Sequence, residues 1–248
     1  MQILTLELFE YFELFKLFIG MKHIVVLTGA GMSAESGIQT FRDAGGLWEN
    51  YPVQEVASIE GWYKNPELML RFYNQRRADL EKVEPNEGHR ILAEMERNFK
   101  ISIVTQNVDN LHERAGSTNI LHLHGELTKA CNTNKTQVLD IGYREINFGE
   151  KANDGAQLRP FIVWFGEAVP MIEPAIDLVQ SADILLIIGT SMQVYPAAGL
   201  LNYAKKTTPI YLIDPNEVSS SPHIHFIKKG ASEGMRVFRE MMSSLNKL

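Results

Sequence analysis

Short apolar runs, rich in β-branched residues, recur along the chain: HIVVLTG (23–29), ISIVTQN (101–107), ILHLHG (120–125), FIVWFG (161–166), DILLIIG (183–189) and IYLID (210–214). Most are apolar throughout rather than alternating, which predicts strands of a parallel sheet covered on both faces by helices. Helix signals stand between them. Asn65 followed by Pro66 makes a cap and first-turn pair ahead of ELMLRFYNQRRADLEKV, and Asn86 is placed to cap GHRILAEMER. The stretch 129–160 is polar and turn-rich between two strands, which is the pattern of a small inserted module. No internal repeat or low-complexity linker interrupts the chain. The expected class is α/β, a doubly wound, Rossmann-like parallel sheet with a smaller inserted module.

Residues 1–20 stand apart. They are strongly apolar, yet Glu7, Glu10, Glu13 and Lys16 recur every third position, and a membrane-spanning helix would have to bury those charges. The segment also lacks the basic start of a secretory signal and the Arg-rich, acid-poor composition of a mitochondrial presequence. Two readings stay open: a helix docked on the domain or a partner, or a translated extension ahead of a start at Met21. The second is favoured because Met21 opens directly onto a strand. Intact-mass measurement of the natively expressed protein decides between them.

Composition narrows the function classes. The 248 residues are 45% hydrophobic and 22% charged, as in a folded cytoplasmic protein, with one large domain or one domain plus an insertion expected. The net charge is −6 and no dense Lys/Arg block is present, which argues against sequence-independent nucleic-acid binding. A single cysteine, Cys131, excludes an intrachain disulfide framework and any metal site built from this chain's thiolates alone.

The first chemical signal follows the first strand. Gly29, Gly31 and Ala34 satisfy the G-x-G-x-x-G/A spacing, in which glycines permit a sharp turn and let a pyrophosphate approach backbone amides at a helix start. The alternative is a merely tight strand-to-helix turn. An acidic residue closing a second strand about 20 residues on, the usual dehydrogenase companion, is missing, so a plain hydride-transfer enzyme fits poorly. Polar residues then emerge from two further strand ends: Gln106, Asn107 and Asp109 after ISIVT, and His122 and His124 after the third run. Such ends face the ligand crevice of a doubly wound sheet. An amide, a carboxylate and an imidazole there could orient a ribose and move a proton near neutral pH. Against this, His122 fits a core or supporting role equally well, and Asn107 fits a turn cap. Gly125 tips the choice toward His124, because it leaves the backbone open to a close-lying ligand.

GAGMSAESGIQTFR, TQNVDNLHERAG, HLHGEL, VWFGE (163–167) and GTSMQVYPAA (189–198), in this order from about Met21 to about Met235, resemble the sirtuins, NAD-dependent protein lysine deacylases. The resemblance implies roles residue by residue. Ala30, Gly31 and Ser33 match the phosphate turn, and Phe41 and Arg42 the mobile cofactor loop. Ile38, Gln106, Asn107 and Asp109 match the nicotinamide-ribose and carboxamide pocket, and His124 the general base. Gly189, Thr190, Ser191 and Val194 match the adenosine side, with Gly230 and Ala231 near the C-terminus. Val163, Trp164, Phe165, Gly166 and Glu167 match the loop that takes an extended acylated peptide as an added strand. The implied reaction is acyl transfer to the cofactor, giving nicotinamide, free lysine and an O-acyl-ADP-ribose. The catalytic domain would span 21–248, with a helical insertion at about 50–90.

Tyr73 and Arg76 are three apart in RFYNQRRAD and share a helix face. They match the Y-x-x-R pair of class III sirtuins, which receives the carboxylate of succinyl-, malonyl- or glutaryl-lysine. A solvated basic face built from Arg71, Arg76 and Arg77 is the alternative. Two features depart from the family. The stretch 129–160 keeps Cys131 but not the two C-x-x-C pairs that hold a structural zinc, so no bound metal is expected. Asp214 in LIDPN stands where Asn is common beside the adenosine. Mainly deacetylase activity, protein ADP-ribosyl transfer and a non-enzymatic NAD or ADP-ribose binding module are the competing functions. Retention of Asn107, Asp109 and His124 together speaks against the last.

Overall fold

A computed structural model describes residues 20–40, 52–190, 197–216 and 223–245. The expectations for residues 1–19, and for Phe41, Arg42, Ser191 and Val194, lie outside the described residues.

Six parallel strands form the main sheet: β1 (His23–Thr28), β2 (Lys100–Thr105), β3 (Ile120–His122), β7 (Ile184–Ile188), β8 (Ile210–Ile213) and β9 (Ile224–Ile227), in the order β3-β2-β1-β7-β8-β9. The chain builds outward from β1 to β3, returns to pair β7 with the other edge of β1, and builds outward again. The topological switch therefore lies between β1 and β7. Every residue of β1 and β7 is buried, as their unbroken apolar runs require.

Helices cover both faces. On one, α5 (Glu87–Met95) and α8 (Ala231–Leu245) join the α1 turn (Ala30–Ala34) in a core around Ile24, Leu186, Met235 and Phe238. On the other, α7 (Ile172–Ser181) and a 3₁₀ turn (Ala197–Tyr203) pack on Val25, Leu185 and Leu212. A second body sits beside the sheet. Its antiparallel strands β4 (Gly125–Cys131), β5 (Val138–Asp140) and β6 (Arg159–Ile162) run in the order β5-β4-β6. They share one core with α2 (Val53–Val56), α3 (Ile59–Lys64) and α4 (Pro66–Lys82). Both expected caps form: the Asn65 side chain accepts from the Leu68 amide with Pro66 in the first turn, and Asn86 accepts from the His89 amide.

Two strand expectations are corrected. FIVWFG does not enter the parallel sheet; Phe161 and Ile162 belong to β6, and the sixth parallel strand is Ile224–Ile227. The run 120–125 is not one strand, because its backbone turns at Leu123–His124 between β3 and β4. Gly125 makes that turn at φ +81, and a Cβ there would overlap the Phe161 carbonyl. Its small size serves the close approach of two strands.

Candidate active site at the sheet's switch point

The β1–α1 turn and the end of β7 interlock. The Gly29 amide donates to the Ile188 carbonyl at 3.1 Å and the Gly31 amide to the Gly189 carbonyl at 2.9 Å. A Cβ on Gly29 would lie 2.7 Å from the Gly189 oxygen, and one on Gly31 would lie 2.6 Å from the Gly189 Cα. Gly189 itself holds φ +57. Three glycines are thus required by packing alone, and the turn sets the start of α1 at the switch point, where the Gly31 and Met32 amides donate to the Gly189 and Gly29 carbonyls.

Around this turn the residues from β2 close a network. The Asn107 amide donates to the Gly29 carbonyl at 2.9 Å and to the Ser33 hydroxyl at 3.2 Å, and Ser33 donates to Asp109 Oδ2 at 2.9 Å. Gln106 Nε2 donates to Thr190 Oγ1 at 3.0 Å, tying the β2 end to the β7 end. Burial pushes the Asp109 carboxyl up, against the Leu111 amide and the Ser33 hydroxyl that favour its ionised form. Asn107 therefore braces the β1–α1 turn rather than merely capping its own.

One cavity of ≈ 330 Å³ is lined by Ala30, Ser33, Ile38, Asn107 and Asp109 together with Arg76, Asp79, Val108 and Leu127. It collects five residues matched to the cofactor and one matched to the acyl group. Gly189, Thr190, Asp214 and Ala231 lie instead at the other strand ends and the α8 start. There Asp214 is nine-tenths buried and accepts from the Asn216 amide at 2.9 Å. Gly230 packs so closely on Glu35 that a Cβ would displace its carboxylate. A dinucleotide fits this chain: the glycine turn lies at the switch point, and the amide of Asn107, the hydroxyl of Ser33 and the carboxylate of Asp109 line the cavity beside it.

The two histidines differ sharply. His124 Nδ1 lies 3.1 Å from the Gln106 carbonyl, which can only accept, so Nδ1 carries the proton and Nε2 keeps its lone pair. Burial lowers its pKa, the Gln106 contact opposing, so the ring is neutral near pH 7. His122 meets an acceptor at each nitrogen, the Asn107 carbonyl at 3.0 Å and Glu113 Oε1 at 2.7 Å. Burial works against its charge, but Glu113 prevails and its pKa rises. His122, Glu113 and Glu126 place potential metal-ligand atoms within 4.8 Å of one another, yet Lys129 reaches Glu126 at 2.6 Å. The two carboxylates there are already engaged, Glu113 by His122 and Glu126 by Lys129.

Tyr73 and Arg76 share the α4 face as expected, but they play different parts. Arg76 is half-buried in the cavity wall, whereas Tyr73 is buried beneath it, with its hydroxyl accepting from Trp164 Nε1 at 2.9 Å. In the 163–167 loop, the amides of Val163, Trp164 and Phe165 donate to the His124 carbonyl, the Glu167 carboxylate and the Ala57 carbonyl, respectively. The Trp164 and Phe165 carbonyls accept in turn from the Glu167 and Ile59 amides, each at 3.0 Å. Phe165 is exposed, and Glu167 turns inward to Arg159 at 2.7 and 3.0 Å and to Lys135 at 3.1 Å. Arg159 was not singled out from sequence. The signal was a basic residue eight positions before Glu167 at the entry to an apolar run.

At the module's tip the donors are unlike a metal set. The Cys131 thiol is fully buried and donates to the Pro160 carbonyl at 3.8 Å. Asn132 donates to Thr136 at 2.9 Å and Asp154 at 2.7 Å and accepts from the Gln137 amide at 3.0 Å. One thiol, raised by burial to a pKa of about 11, and an amide already holding three partners do not fit a tetrahedral zinc.

Comparison with known proteins agrees with this geometry. Residues 29–196 match the Sir2 family. An NAD-dependent protein deacylase of Bacteroides thetaiotaomicron is 57% identical over 230 residues, 90% of this chain and 98% of that protein. One from Helicobacter pylori is 56% identical over 195 residues, 79% of this chain and 83% of that protein. The crystal structure of a Sir2 homolog–NAD complex superposes with a TM-score of 0.81 at 37% identity, covering 94% of each chain. With a glycine-built switch point, a buried Asn–Ser–Asp network and relatives this similar over nearly its whole length, the chain belongs to the Sir2 family.

Proposed function

We propose that this chain is an NAD-dependent protein lysine deacylase acting preferentially on acidic acyl groups such as succinyl, malonyl and glutaryl. The observation that carries the preference is that Arg76 shares one cavity with Asn107 and Asp109. An acyl lysine threaded toward the cofactor site would place its terminal carboxylate against a guanidinium, which binds carboxylates in a bidentate manner.

When bound, NAD supplies the electrophilic ribose carbon and releases nicotinamide. Ala30, Gly31 and Ser33 would hold its pyrophosphate side, and Gln106, Asn107 and Asp109 would orient the nicotinamide ribose. His124 acts as the base: its Nε2 receives a hydroxyl proton while the Gln106 carbonyl holds Nδ1–H and the ring plane. The 163–167 loop positions the peptide, with the exposed Phe165 ring beside the acylated lysine. The module stands without zinc, its place taken by the Asn132 hydrogen bonds. Elemental analysis finding one zinc per chain would overturn that point.

The test is a panel of succinyl-, malonyl-, glutaryl- and acetyl-lysine peptides of one sequence with NAD, read by mass spectrometry for nicotinamide and O-acyl-ADP-ribose. Arg76→Met is expected to cut kcat/KM on the three acidic substrates by about tenfold or more and to spare the acetyl substrate relative to them. Equal loss on all four would remove Arg76 from acyl recognition. Absence of nicotinamide release with every peptide would leave only the binding-module reading.

A further inference from the structure

The Tyr73 hydroxyl is a group with one proton to give and two lone pairs to receive. One lone pair is taken by Trp164 Nε1, at 2.9 Å, and an indole nitrogen can only donate, so the direction of this bond is fixed. Among the described residues the phenol proton meets no protein acceptor, although the side chain is only 4% exposed. One helical turn on, Arg76 reaches the cavity.

The indole that fixes Tyr73 is itself held. The Arg159 guanidinium lies 3.5 Å over the Trp164 ring, and Trp62 packs at 5.3 Å between ring centroids. Arg159 has no exposed surface; besides the bidentate pair with Glu167, it donates to the Ile162 carbonyl at 2.8 Å. Glu167 in turn accepts from the Trp164 amide at 2.8 Å, so backbone and ring of the same tryptophan are clamped by one ion pair. An aromatic ring buried only for its area would need none of this.

We propose that Trp164, held by the Arg159–Glu167 pair, is a specificity-determining positioning residue: its N–H occupies the acceptor side of the Tyr73 hydroxyl and so directs the phenol proton to the carboxylate of an acidic acyl group. This rests on the reading of Tyr73 and Arg76 as the acyl-carboxylate site. Burial, which raises the Tyr73 pKa to about 12 against the pull of Arg76, keeps that proton in place across the working pH range.

Steady-state kinetics on succinyl- and acetyl-lysine peptides of one sequence test it in the wild-type protein and in Trp164→Phe, Arg159→Lys, Tyr73→Phe and Arg76→Met. Trp164→Phe keeps a ring and deletes the N–H. The expected result is a fall of about tenfold in the succinyl-to-acetyl ratio of kcat/KM, carried by KM on the succinyl peptide. Arg159→Lys, which keeps the charge but loses the flat stack and the fork, shifts the ratio in the same direction. Trp164→Phe adds nothing further in a Tyr73→Phe background, because both act through one hydroxyl. If Trp164→Phe and Arg159→Lys lower both substrates equally while Tyr73→Phe and Arg76→Met change the ratio, this proposal fails and the acyl-site reading survives. If Tyr73→Phe and Arg76→Met leave the ratio unchanged, both fall together.

Discussion

His122 and His124 stand two residues apart at the turn between two sheets, and their pKa values move in opposite directions because their surroundings differ. Against burial, a carboxylate at one nitrogen and a carbonyl at the other raise the His122 pKa; burial lowers that of His124, whose Nδ1 meets a carbonyl and whose Nε2 stays open. His124→Ala is therefore expected to lower turnover by at least about 10²-fold with NAD affinity little changed, measured by titration calorimetry beside steady-state rates. Because burial lowers the His124 pKa, the acid limb of kcat/KM should fall below pH 6.5, not above it. The sequence pointed to His124 through Gly125, and the structure adds a separate observation, the Gln106 carbonyl that holds its Nδ1–H. No sequence pattern shows that Glu113, nine positions upstream of His122, returns to charge that ring, because the pairing depends on how α6 (Leu111–Ala115) packs back on β3.

At the scale of elements, strands buried on both faces were legible because burial writes itself as an unbroken apolar run. Ile224–Ile227 was not, since its half-buried edge position alternates with His225 and lies beside Lys228 and Lys229. FIVWFG misled for the converse reason: it is apolar because it enters the second core, around Trp62, Leu127 and Trp164. The same core gathers the helices of 53–82, whereas α5, which begins inside the insertion expected at about 50–90, packs on the main sheet. Within this module, Asn132 joins segments on either side of the tip. Asn132→Ala should destabilise the protein by about 1 to 3 kcal/mol, leaving Asp154 and the Gln137 amide short of a partner, while addition of a chelator to the wild-type protein leaves its melting temperature unchanged. Thermal denaturation with and without chelator reads both.

Over the whole molecule, stability should depend on pH through histidines buried in their neutral form. His89 and His112 are fully buried, meet at 4.8 Å between ring centroids, and both ring nitrogens of His89 lack a partner among the described residues. Burial, assisted by Arg90, lowers the His89 pKa to about 4; burial and the neighbouring imidazoles also hold His112 well below its ordinary value. The unfolded chain binds protons near pH 6.5 and the folded chain does not. Stability thus falls as pH drops from about 6.5 toward 4, at up to about 1.4 kcal/mol per pH unit for each such ring. His122, whose pKa is raised, contributes the opposite slope at higher pH. His89→Phe should flatten the acid-side loss in denaturant midpoint between pH 6.5 and 4; an unchanged slope would place the loss elsewhere. The lone thiol of this chain lies in the same interior, beneath the Pro160 carbonyl and protonated until about pH 11. A thiol-specific reagent can reach it only when the strands β4 and β6 part. The rate of Cys131 labelling in the native protein then becomes a clock for opening of the peptide-side module, read at a single atom without any engineered probe.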